Sequence, residues 1–221
     1  MKLHGTRSWV MFAAAIAIAF VAPSARADVV AIGPAAFPGA PQITFTGLAN
    51  GTEVNLLTVA GVQFVYSFGP GNVVVGFGPG NTNNITTPDI ESIGNNSGVL
   101  TLFLPSLQNL FGFGFAVLAT SAVPNAVIVS LFNDATAVGN LSYNGVPDPI
   151  FAGGFAGIQS TLEFNRVQLR FNPGPAAFAV DNIRFANVTT VTPEPATLAL
   201  VLTGLFGITS FRRRRLQSRN D

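Results

Sequence analysis

Between residues 28 and 192 the side chains able to do chemistry are few. They are eight carboxylates (Asp28, Glu53, Asp89, Glu91, Asp134, Asp148, Glu163 and Asp181), Arg166, Arg170 and Arg184, Tyr66 and Tyr143, and hydroxyls. The chain has no Cys, and its only His (His4), Lys (Lys2) and Trp (Trp9) and both Met fall within the first 11 residues. This stock removes most nucleophilic catalysis. A Ser-His-Asp triad has no base, a Cys nucleophile is absent, and no Schiff base can form. Structural zinc, which needs Cys or His, is excluded as well. Carboxylates leave two routes open. A pair about 5–10 Å apart could act on a glycosidic bond, and a set of them could hold a hard cation such as calcium. No acid pair sits in a recognisable motif, and of the Tyr and Trp that usually form sugar platforms this segment has two Tyr and no Trp. A non-enzymatic protein is therefore expected, with a secreted carboxylate-dependent glycoside hydrolase as the alternative.

Two acid settings stand out. Asp89 and Glu91 lie in the polar, Asn-rich stretch Gly80 to Gly98, which is expected to be a long loop at one end of the fold. Solvated loop charges are the expected state there, and calcium ligation is the alternative. Asp181 sits in "FAVDNIRF" (178–185), an otherwise apolar strand whose parity slips at Asp181-Asn182. Phe178 and Val180 share one face, Ile183 and Phe185 the other, which predicts a β-bulge. An Asp in such a strand must be hydrogen-bonded, paired or metal-bound. Arg184 is close enough along the chain to be its ion partner, and a calcium is the other candidate.

The elements that must position these residues are strands. Val62, Phe64, Tyr66 and Phe68 share one parity; Phe111, Phe113, Phe115 and Val117 alternate with Gly112, Gly114 and Ala116; Val167, Leu169 and Phe171 alternate with Gln168 and Arg170. Helix signals are missing from Val29 to Thr192. Short β-rich runs between Gly, Pro and Asn clusters predict an all-β, antiparallel β-sandwich or jelly roll over 28–187. "FGPGN" occurs at 68–72 and again at 77–81. Its Pro-Gly pair suits the centre of a type II turn, and no helix follows that would favour a phosphate cradle. The 165 residues from 28 to 192 are enough for one domain with a real core, and they carry 16 of the 20 Phe.

Both ends of the chain are different in kind. Lys2 and Arg7 precede an apolar run from Trp9 to Ala22, followed by Ala25-Arg26-Ala27. This is the pattern of a signal peptide over 1–27, cut by signal peptidase after Ala27. Residues 188–195 form a linker containing Pro193-Glu194-Pro195. The run 196–211 carries no charge and would span about 24 Å as a helix. A single C-terminal transmembrane helix is expected there, with the tail 212–221 and its Arg212, Arg213, Arg214 and Arg215 on the cytoplasmic side.

This segregation makes the overall net charge of +1 misleading. The segment 28–192 has eight acids against three arginines, or −5, and the basic excess sits in the two ends. A nucleic-acid partner is excluded, because the folded part offers an acidic surface.

The succession of a Thr-rich spacer, Pro193-Glu194-Pro195, an apolar segment, Arg212 to Arg215 and then the chain end resembles the PEP-CTERM sorting signal. That resemblance implies a Gram-negative exported protein. An exosortase would cut it near residues 193–195, after a transient stay in the inner membrane. Its destination would be the cell surface or the extracellular matrix, in association with exopolysaccharide and biofilm. The closing strand around Asp181-Asn182 and the opening "ITFTGLANGTEVNLLTVAGVQFVY" (43–66) are similar to strands of carbohydrate-binding jelly-roll modules. This second resemblance implies a structural Ca2+ held by Asp181, with Glu53 the nearest acid to a position that is Thr46 here.

Overall fold

The computed structural model describes residues 28–93 and 96–188. The signal segment with Ala25 and Ala27, the Pro193-Glu194-Pro195 triplet, the apolar run 196–211 and the arginine cluster lie outside the described residues. Within them the fold is all-β. One 3-10 turn at Pro34–Ala36 accompanies eleven strands, and every pairing between strands is antiparallel. In chain order these are β1 (Val29–Ala31), β2 (Gln42–Ile43), β3 (Thr58–Val59), β4 (Val62–Tyr66), β5 (Val73–Gly76), β6 (Asp89–Ser92), β7 (Val99–Leu118), β8 (Val123–Asn133), β9 (Thr136–Asp148), β10 (Phe151–Phe171) and β11 (Phe178–Ala186).

Two strands build both layers of the sandwich. β7 has 20 residues and β10 has 21. The first part of β7, Val99–Phe103, lies between β4 and the last part of β10, with β8 and β9 beyond. Its second part, Leu110–Leu118, lies between the first part of β10 and β11, with β6 and β5 beyond. Between the halves the β7–β10 register breaks twice, around Phe164, close to Pro105 of β7. A proline gives up its ladder hydrogen bond and a bulge bends the strand, so both strands turn the corner from one layer into the other.

The layers meet over a core dominated by phenylalanine. Phe171 of β10 stacks on Phe178 of β11 across the sandwich, with ring centroids 4.1 Å apart and planes 4° from parallel. Tyr66 of β4 lies 6.2 Å from the same Phe178 ring. Phe111, Phe113 and Phe115 face this core as their alternation predicts. The face carrying Gly112, Gly114 and Ala116 is buried too. A Cβ at position 114 would come within 2.0 Å of the Asn84 carbonyl oxygen. Glycine there lets the segment 82–88 lie directly on the outside of the sheet, where Ile85 packs against Ala116 and Ala179.

The stretch 80–98 is therefore not the long solvated loop expected from its composition. It contains β6, and Thr82 and Ile85 form an isolated bridge. Asp-Ile-Glu-Ser has one strong hydrophobe in four residues, too few for period-two alternation to register. Pairing with β5 and β11 is what makes it a strand. The first FGPGN repeat forms a turn as expected, with Gly71 at φ 79°; the second is a bend, with Gly80 at φ 75°, and the two bracket β5.

Candidate functional site

The predicted bulge in β11 exists and sets up a buried acid pair. The β11–β7 register breaks between Asp181 and Arg184, and Asn182 takes φ 55°. Val180 and Ile183 consequently both reach the core. On the other side of β11, Ala179 pairs with Glu91 and Val180 with Ile90. The next step of that register sets Asp181 opposite Asp89. Directly opposed residues on one face of a sheet have Cβ atoms about 4.5–5.5 Å apart. Both carboxylates have 0% exposure.

The segment 82–88 closes over this pair. The Thr86 N–H donates to Asp181 Oδ2 at 3.0 Å. Asn182 Nδ2 donates to the Asn84 carbonyl at 2.6 Å, and Asn182 Oδ1 accepts from Gln42 Nε2. Asp181 Oδ1 and both oxygens of Asp89 accept no hydrogen bond among the described residues. Burial pushes the Asp89 carboxyl up to about 8, and the charges of Glu91 and Asp181 push it the same way. Burial also raises Asp181, to about 6, against the lowering effect of the Asn182 and Thr86 backbone N–H groups.

Other residues singled out by the sequence lie elsewhere. Arg184 is not the ion partner of Asp181; its Nη2 donates to Gln42 Oε1 at 2.9 Å, and its guanidinium lies 6.0 Å from the Phe155 ring centroid. Glu53 accepts from the Asn55 N–H at 2.9 Å and the Gly71 N–H at 2.6 Å. It bridges Val74 of β5, which pairs with Glu91 of β6, which pairs with Ala179 of β11. Three strand spacings, about 14 Å, thus separate Glu53 from β11. The structure does not bring Glu53 to Asp181. Asp89, expected as a solvated loop charge, is the acid that faces Asp181. Its burial depends on the segment 82–88 folding back, which no local pattern announces. No group of three or more His, Cys, Asp or Glu placed to hold a metal occurs among the described residues.

A second polar region surrounds the β8–β9 turn. Asp134 and Asn165 clamp each other: the Asp134 N–H donates to Asn165 Oδ1 at 2.8 Å, and Asn165 Nδ2 donates to Asp134 Oδ1 at 2.7 Å. A cleft of about 660 Å³ on one side is lined by Asp134, Thr136, Thr161, Leu162 and Glu163. One of about 370 Å³ on the other is lined by Phe103, Asn165 and Arg166. Arg166 lies 4.4 Å over the Phe132 ring, and Phe103 and Leu162 are exposed. Carboxylate, amide, guanidinium and apolar surface thus occur together around one hairpin.

Comparison with known proteins bears mainly on the end of the chain. Residues 191–215 match the PEP-CTERM protein-sorting motif. The motif indicates an exported exosortase substrate that transits a membrane. No protein of curated function matches the chain significantly. Among solved structures, a carbohydrate binding module of family 29 is similar at 11% identity and TM-score 0.34, covering 79% of this chain and 99% of that one. A mutant of the CBM29-2 module complexed with cellulohexaose is similar at 10% identity and TM-score 0.34, covering 78% and 100%. The enzymatically active domain of bacteriophage CBA120 tailspike protein 4 is similar at 12% identity and TM-score 0.37, covering 64% and 21%. Among the described residues no helix is long and apolar enough to cross a membrane.

Proposed function

We propose that this chain is a surface-sorted, non-enzymatic protein of the extracellular matrix of a Gram-negative bacterium. Signal peptidase releases residue 28 onward, and the segment 196–211 holds the body in the inner membrane with Arg212 to Arg215 inside. An exosortase then cuts near Pro193 to Pro195. The delivered β-sandwich acts through contacts with exopolysaccharide or matrix protein in a biofilm. The PEP-CTERM segment at 191–215 is the observation that carries this reading. Two features of the body support it. Its opposed carboxylates, Asp89 and Asp181, are sealed from solvent and so from any glycosidic bond and attacking water. The clefts beside the β8–β9 turn offer hydrogen-bonding groups next to exposed Phe103 and Leu162, a surface suited to an extended polar ligand.

The second reading, a carboxylate-dependent glycoside hydrolase, rests on Asp134 and Glu163 lining the same cleft. Incubating the secreted, processed protein with the exopolysaccharide of its own host separates the two. Retention on the polysaccharide without new reducing ends supports the binding role. Release of reducing ends overturns the non-enzymatic reading.

A further inference from the structure

Among the described residues, short stretches of the same chain cover the margins of the sheet, with one exception. Residues 51–54 lie along β5: the Gly51 N–H donates to the Val75 carbonyl at 2.9 Å and the Val75 N–H to the Thr52 carbonyl at 2.8 Å. Residues 56–59 lie along β4, and β1 lies along the first part of β10. β9 ends the strand order on the side away from β5. From Thr136 to Gly145 it pairs with β8 along one edge, and only Val146–Asp148 meets β10. Along the other edge of 136–145 no strand lies against it among the described residues. Val29 of β1 comes near, but from beneath. A Cβ on Gly139 would meet Val29 at 2.6 Å, so this side chain fills the inner face and leaves the edge open.

An open edge presents a row of unpaired N–H and C=O groups, and proteins blunt such edges with charge, proline, brevity or a bulge. β9 has 13 residues, and no charged residue or Pro occurs from Ala135 to Val146. The register shifts between β8 and β9 fall on either side of a regular ladder, Gly139–Tyr143 against Val127–Leu131. Asn140, Ser142 and Asn144 form the exposed row of this ladder, and Leu141 and Tyr143 the half-buried one. The pattern is its own complement. Turned about a two-fold axis at Ser142, a second β9 sets Asn140 opposite Asn144, Ser142 opposite Ser142 and Leu141 opposite Tyr143. Amide then meets amide outside, apolar meets aromatic inside, and no like charges are opposed. The segment 28–192 carries −5, so copies repel one another over most of their surface and can meet along this uncharged seam. We propose that a second copy of this chain docks antiparallel along β9, edge to edge, through a two-fold contact centred on Ser142. The contact continues one layer of the sandwich from copy to copy, and it holds whether or not the body binds polysaccharide.

The test uses the full chain in a neutral detergent. The chain has no Cys, so an introduced thiol reports on this contact alone. Ser142→Cys lies on the axis, with Cα atoms about 4.5–5.5 Å apart, within disulfide range. Mild oxidation should convert it to a covalent dimer. Thr136→Cys, on the same strand, would sit roughly 40 Å from its counterpart and should yield none. Asn140→Cys mixed with Asn144→Cys should give the mixed dimer in preference to either homodimer, which fixes the register. Ser142→Lys opposes like charges on the axis and should abolish the dimer that the wild-type chain forms in sedimentation; adding Ser142→Glu should restore it. Equal cross-linking at 136 and 142, as association through the apolar tail would give, overturns the proposal. So does a wild-type chain that sediments as a monomer up to about 1 mM. If Ser142→Cys fails to fold, the Asn140→Cys and Asn144→Cys mixture decides the matter without it.

Discussion

Asp181 of β11 and Asp89 of β6 each lie one step beyond the paired Val180 and Ile90, near enough for the charge of Asp181 to act on Asp89; both are without exposed surface, and three of their four carboxylate oxygens accept no hydrogen bond among the described residues. One strand of the pair is apolar and bulged, and the other was concealed in a polar stretch. Each acid alone is unremarkable in sequence. Their opposition gives the body its most sharply testable chemistry.

The pH dependence of stability follows from that opposition. The folded-state values of Asp89 and Asp181 are raised to about 8 and about 6 by burial. The native state therefore binds more protons than the unfolded chain between the ordinary Asp range near 4 and about pH 8. With that sign, stability falls as pH rises through the interval. In EDTA the Tm should be higher at pH 5 than at pH 8. A Tm that climbs over the same range would contradict the assignment of these two groups.

Gly114 tests the contact between sheet and cover. An alanine Cβ would meet the Asn84 carbonyl oxygen at 2.0 Å, a backbone atom with little freedom to move away. Gly114→Ala should cost about 1–3 kcal/mol, the usual range for overpacking, and should speed amide exchange between residues 82 and 88. Urea unfolding and exchange measurements would both report it.

The stack of Phe171 on Phe178 joins the two layers. Phe178→Ala removes the ring that also meets Tyr66, and should lower stability by about 3–5 kcal/mol. Denaturant unfolding measures this directly. A loss below about 1 kcal/mol would mean that the layers are held mainly elsewhere.

The sorting motif makes a prediction independent of the body. Glu194→Ala, or deletion of Arg212 to Arg215, should leave unprocessed precursor in the inner membrane. Cell fractionation with an antibody to the body gives the readout. Normal release of both variants would refute exosortase processing.

The cleft beside the β8–β9 turn can be probed without disturbing the core. Phe103→Ala removes an exposed ring next to Asn165 and Arg166. It should weaken retention on host polysaccharide by roughly tenfold if the ring stacks on ligand, the 1–3 kcal/mol range of aromatic anchors. Its Tm should stay close to that of the wild-type chain.

Much of the fold follows from local pattern. The Phe-Gly alternation of 111–117, the turn of the first FGPGN repeat and the slip at Asp181-Asn182 are written in consecutive residues, because strand parity and turn geometry act over two to five positions. Composition alone leaves no Cys and a single His, at position 4, and the sorting motif at 191–215 is legible as one contiguous pattern. Other features depend on residues far apart in the chain. β6 becomes a strand only between β5 and β11, Gly114 is needed because Asn84 crosses it, and Arg184 turns to Gln42, 142 positions away. Which acid faces Asp181 is set by sheet register. Register is a long-range property that places Asp89 opposite Asp181 and Glu53 three strands away, so only the tertiary structure could decide it.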